Sequence, residues 1–185
     1  MKYLGDNEAN LLLGKVGFSI GEWNRIIYLD HLAERHQVSY KAPMDALSLY
    51  CFSLHVAGWL PKGKWQIFQI DDATILSPDE AIFLSRLICA EEPFDFGVHR
   101  TFLFDNDKGD CSKLNITISH LIFALLLFEG HGYLVSSASH SGEMVCIQDG
   151  FVYFISEKHG VHDAQSLISI YENNPKKMPS WMFGG

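Results

Sequence analysis

Residues 121–128 form the most apolar run in this 185-residue chain, eight positions without a polar side chain. Such a run is costly to leave in water on any side, so the fold has to wrap it. Three strand-like segments rich in β-branched and aromatic residues follow, at 133–137, 143–148 and 151–156. Asp149-Gly150 separates the last two, a pair suited to a type I′ turn because both central positions need positive φ. The expectation is a buried helix feeding a three-strand antiparallel meander.

Further elements can be read around that centre. Ser19 and Glu22 have capping-box spacing, and Trp23, Ile26, Ile27 and Leu32 recur at helical intervals, which predicts a helix over 19–36. Pro43 suits the first turn of a second helix, 44–57, apolar nearly all round and closed by Gly58 and Pro61. Residues 64–70 alternate as a strand. Ser77-Pro78-Asp79-Glu80 predicts a capped helix over 77–90. A strand is expected at 98–104, then a polar turn at 105–110. Leu114, Ile116 and Ile118 alternate with polar residues as a hairpin partner would. Glu129-Gly130 marks the stop of the apolar helix, with glycine after its last apolar residues. A last helix is expected over 161–172, before a tail carrying Trp181 and Phe183. The elements do not alternate strictly, which predicts an α+β fold. About five helices would cover one side of an antiparallel sheet and leave the other to solvent or a partner. No repeat or linker divides residues 1–185, so one domain is expected.

The chain is 48% hydrophobic, enough for a real core. The longest apolar segment, 116–128, contains Thr117, Ser119 and His120, stops at Glu129, and falls short of the roughly 20 residues a bilayer requires. The amino terminus turns acidic at Asp6 and Glu8 with no long apolar stretch behind it, unlike a signal peptide. A cytoplasmic protein is expected, with Cys51, Cys89, Cys111 and Cys146 reduced.

Charge is distributed unevenly. The formal net charge is −8, and residues 71–110 supply −7 of it, with ten acids against three bases. The acids are Asp71, Asp72, Asp79, Glu80, Glu91, Glu92, Asp95, Asp105, Asp107 and Asp110. If the fold gathers them, they make a one-signed surface that repels nucleic acid and speeds encounter with a basic protein. Individually, Asp79 and Glu80 also suit a helix start, and the 105–110 acids suit a turn.

Catalytic patterns are sparse. Cys146 with His140 or His120 is the most arguable nucleophile–base pairing. Cys51 with His55, and His159 with His162, have helical spacing but lack the partners of a metal site. The 105–110 segment has its glycine one place early for a calcium loop, with Ile116 where the glutamate belongs. No cofactor or metal is expected, and no phosphate-binding glycine loop or GxSxG motif occurs.

In whole-chain character (small, acidic, aromatic-rich, without a catalytic signature) the sequence resembles bacterial toxin-immunity proteins. That resemblance implies a non-catalytic protein that neutralises a basic, co-encoded partner in a stoichiometric complex. The ten acids would make the contact, with Trp59, Trp65 and Phe94 as anchors. It implies neither a nucleic-acid nor a membrane partner. The alternatives are a structural or adaptor subunit using its uncovered sheet face or the Trp181 tail, and a small enzyme with a dispersed Cys/His or metal site.

Overall fold

In the computed structural model, residues 1–30, 34–72, 74–88, 100–106, 111–157, 161 and 164 are described. The chain is α+β, built on a seven-stranded sheet. Its strands are β1 (Lys2–Tyr3), β4 (His36–Lys41), β5 (Trp65–Ile70), β6 (Thr101–Asp105), β7 (Gly132–Ser136), β8 (Met144–Gln148) and β9 (Phe151–Ser156). They lie in the order β1-β6-β5-β7-β8-β9-β4, and every neighbouring pair is antiparallel. A separate hairpin joins β2 (Phe18–Ile20) to β3 (Ile26–Tyr28).

Three helices cover one face: α2 (Ala46–Trp59), α3 (Pro78–Leu87) and α4 (Cys111–Leu127). Ile118, Leu121, Ile122 and Leu125 of α4 meet Leu49, Phe52 and Val56 of α2 above Phe68, Phe102, Leu134, Val145 and Phe154 of the sheet. The apolar run thus forms the C-terminal part of a longer helix, with Phe128 just past its end. α3 begins as its sequence demands, with Ser77 Oγ accepting from Glu80 N and Glu80 Oε2 accepting from Ser77 N at 2.7 Å. Asp149 and Gly150 have φ of 52° and 74° between β8 and β9, the conformation that the turn pair favours.

Several expectations are corrected. No helix spans 19–36; the described part of that stretch holds β2, β3, a turn between them, and the start of β4. Its apolar spacing mimicked a helical face, but the chain takes positive φ at Trp23 and Asn24, where a helix cannot continue. Leu114, Ile116 and Ile118 lie in α4, not in a strand, because Leu114, Ile118, Leu121, Ile122 and Leu125 continue one helical face. α2 starts two residues later than expected and is capped by Asp45, whose carboxylate accepts from Ser48 N; Gly58 lies inside it. The αL stop of α4 is Glu129 at φ 54°, with Gly130 N donating to Leu125 O at 2.7 Å in a Schellman arrangement. Four α-helices occur among the described residues, including α1 (Asp6–Leu13), which the sequence had not suggested. The 161–172 helix and the Trp181 tail lie outside the described residues, apart from 161 and 164.

The sheet is also covered on its second face. Leu4, Leu13 of α1, and Phe18 and Ile26 of the β2–β3 hairpin pack onto Ile67, Tyr133, Val135, Met144 and Cys146. This is why β5, β7 and β8 are buried at nearly every position, while β9 is buried only at alternate ones. The hairpin's base is tied at one end of the sheet, where Tyr28 Oη donates to Gly142 O at 2.7 Å. There the Arg35 guanidinium also lies 3.7 Å over the Tyr28 ring and 3.6 Å from Glu157. Its tip reaches the other end.

Candidate functional site

The hairpin tip meets the sheet where β5 leaves it. Strand alternation sends Ile70 to the helical face and Asp71 to the hairpin face, and Asp71 N donates to His131 O across the extension of the β5–β7 ladder. Asp71 is only 1% exposed. Its Oδ2 lies 3.6 Å from Arg25 Nε and 3.7 Å from His131 Nδ1. His131 Nε2 reaches outward to Asp149 Oδ1 at 3.0 Å. Arg100, just before β6, donates through Nη1 to Asp71 O at 2.6 Å and places Nε 3.2 Å from Asp72 Oδ1.

Asp72 in turn fixes the tip. Its N–H donates to Trp23 O at 2.9 Å, and its Oδ1 accepts from Asn24 Nδ2 at 2.9 Å. Trp23 and Asn24 are thereby held at φ of 61° and 55°. Asparagine tolerates that region; for tryptophan it costs on the order of 1–2 kcal/mol. The indole repays none of this in core packing, being 66% exposed. Residues held in such regions by the surrounding structure cluster at functional sites.

Beneath the tip, a row of polar side chains crosses the same face at one level: Thr101, Gln69, Tyr133, Cys146 and Tyr153, each beside the next. Thr101 Oγ1 donates to Gln69 Oε1, and Tyr133 is hydrogen-bonded to Cys146. Burial, reinforced by Asp71 and partly offset by Arg25, pushes the Cys146 thiol up to about 12. Burial likewise raises Tyr133 above its ordinary range. A thiol held neutral in this way is a poor nucleophile.

The expected Cys146 pairings also fail on geometry. His120 belongs to α4, on the other face of the sheet, where Nδ1 donates to Leu87 O at 3.0 Å and Nε2 faces Tyr50 Oη at 3.4 Å. His140 is exposed in the turn before β8, away from the Asp71 end. Cys51 is half-buried on α2 and His55 exposed. Among the described residues no three His, Cys, Asp or Glu side chains are placed to share a metal ion. His159 and His162 lie outside the described residues.

Of the ten acids expected to form one patch, the five among the described residues have different settings. Asp71 is turned inward, and Asp72 is committed to Arg100 and Asn24, so neither is available as a simple surface charge. Asp79 is exposed in the first turn of α3, and Glu80 is occupied in its capping box. Asp105 pairs in register with Trp65, at the opposite end of β5 beside Lys64, about 17 Å along β6 from Arg100. Glu91, Glu92, Asp95, Asp107 and Asp110 lie outside the described residues. Of the expected anchors, Trp59 packs edge-on against Phe154 at 5.0 Å, Trp65 packs into the second core, and Phe94 lies outside the described residues. The sequence reading missed Trp23, Arg25, Arg100 and His131. The available signal was Asp71-Asp72 directly after a buried strand, where a carboxylate pair requires cations from elsewhere in the chain.

The chain matches no protein-family model, no curated protein and no solved structure.

Proposed function

We propose that this protein works by binding rather than by chemistry, as a stoichiometric, acidic inhibitor of a basic protein partner, in the manner of immunity proteins against co-encoded toxins. The observation that carries the reading is the strained and exposed Trp23, held in place by Asn24, Asp72 and Arg100. Charge points to the kind of partner. Asp71 and Asp72 draw Arg25 and Arg100 towards themselves, while the carboxylates of Glu22, Glu129 and Asp149 around this end of the sheet remain exposed. With a net charge of −8 on the whole chain, that end favours a cationic surface and repels phosphate. Asp79 is an exposed carboxylate that would add to the field, whereas Asp71 and Asp72 serve as supports.

An enzymatic reading has less behind it. Cys146 is held neutral, and neither histidine expected to activate it is placed to do so.

The test is calorimetric titration with the purified product of the adjacent gene. A 1:1 complex whose affinity falls between 50 and 200 mM salt, roughly the range over which exposed charges become screened, is the expected result. Absence of any complex at low salt would remove the proposal.

A further inference from the structure

The two faces of the β2–β3 hairpin differ sharply. Phe18, Ile20, Ile26 and Tyr28 point towards the sheet. The outward face carries Ser19 opposite Ile27. Gly21 lies so close beneath Ile27 that a Cβ there would come within 2.9 Å of its side chain. Ser19 and Gly21 are too small to cover the larger residues at 27 and 29. Ile27 is 41% and Leu29 54% exposed, and Trp23 stands at the tip of the same ribbon. Exposed glutamate and aspartate flank this strip at both ends, as Glu22 and Asp30, and Asp149 lies beyond the tip.

Resting on the binding reading above, we propose that this outward face is the docking surface, with Trp23 as its anchor, and that the partner offers an apolar cleft rimmed by lysine or arginine. Charge decides the occupant. A second copy would bring another −8 and the same flanking carboxylates against this face, so like charges would oppose a homodimer. A cationic rim would meet the exposed carboxylate of Glu22 and the negative field of this end while the indole enters the cleft, the arrangement in which aromatic anchors contribute most. The three apolar side chains alone are smaller than the roughly 800 Å² per partner of a standard interface, so the charged rim has to take part in the contact. Asp72 and Arg100 act as positioning residues, fixing the indole before the partner arrives.

The experiment uses the full chain and the purified basic product of the adjacent gene. Trp23→Gly removes the indole while suiting the left-handed backbone, so its melting temperature should equal or exceed that of the parent. Its affinity should fall by about thirtyfold or more. A merely structural tryptophan would show the reverse, a lower melting temperature and unchanged affinity. The double variant Ile27→Ser, Leu29→Ser, altered only at solvent-facing positions, should also weaken binding. If the parent binds 1:1 and both variants bind within threefold of it, the docking surface is wrong while the binding reading stands. If the parent does not bind at all, both fall. If light scattering finds a parental dimer that Trp23→Gly dissolves, the occupant is a second copy and the cationic partner is wrong.

Discussion

Asp71 and Asp79 come from the same acidic stretch, and their surroundings give them opposite roles. Asp71 has lost its water and faces Arg25 and His131, whereas Asp79 remains hydrated in the first turn of α3. Asp71 is buried in a pocket built around its charge, while Arg25 beside it is half-exposed, so Asp71→Asn should lower stability by about 1–3 kcal/mol. Asp79→Asn loses only a favourable position at a helix N-terminus, under about 1 kcal/mol. Urea unfolding of the two variants side by side measures the difference; equal losses would mean that Asp71 is not held as described. The contrast also shows why the site was poorly legible. Charge density along a chain is visible in its sequence, but the partner of each charge is set by pairings between distant residues. Nothing in the 71–72 dipeptide points to Arg25, which a hairpin brings from elsewhere, and nothing in Trp23-Asn24 announces positive φ.

Elements whose signal was local were read correctly, while short apolar patterns served unevenly: the strands expected at 64–70, 133–137, 143–148 and 151–156 correspond to β5, β7, β8 and β9, but the helix over 19–36 and the strand at 114–118 did not form. The Ser77 capping box and the Asp149-Gly150 turn each depend on neighbours in sequence, and both formed as expected. Ser77→Ala should therefore cost about 1 kcal/mol in urea unfolding, the usual penalty for an N-cap. Spacing misled at 19–36 because four apolar residues can satisfy a helical period by chance, whereas the hairpin is decided by its contact with Tyr133 and Val135 on a distant strand. The end of α4 shows the same limit at finer detail. Glycine sits at 130, yet the left-handed residue is Glu129. Gly130 serves a different need, because a Cβ there would lie 2.7 Å from Leu125 Cδ2 and 3.1 Å from Thr74 Cγ2. Glu129→Gly should therefore stabilise by about 1 kcal/mol, and Gly130→Ala should destabilise by about 1–3 kcal/mol. The opposite signs at adjacent positions, read from the midpoints of chemical denaturation, separate the two explanations.

At the scale of the molecule, the notable feature is a sheet whose central strands are buried on both faces, with a polar row inside its second layer. Tyr28 lies in the hairpin, and Tyr133 and Cys146 lie on the sheet below it. Burial raises the ionisation of all three above its ordinary range, the thiol to about 12 from 9.0. Groups shifted upward in this way keep their protons in the folded state after the unfolded chain has released them. Their contribution to stability is complete below about pH 9 and drains away as pH rises through the folded values. The folded protein should thus hold steady from pH 7 to near 9 and then lose stability steeply towards pH 12. Loss should begin in the layer formed by α1 and the hairpin, since that is where the three groups lie. Urea midpoints at stepped pH, with tyrosinate absorbance followed in parallel, measure this. Buried tyrosines should ionise together with unfolding, not ahead of it, and Cys146→Ala should flatten the decline. A decline that begins below pH 8, or one that Cys146→Ala leaves unaltered, would mean that the layer does not seal these groups from water.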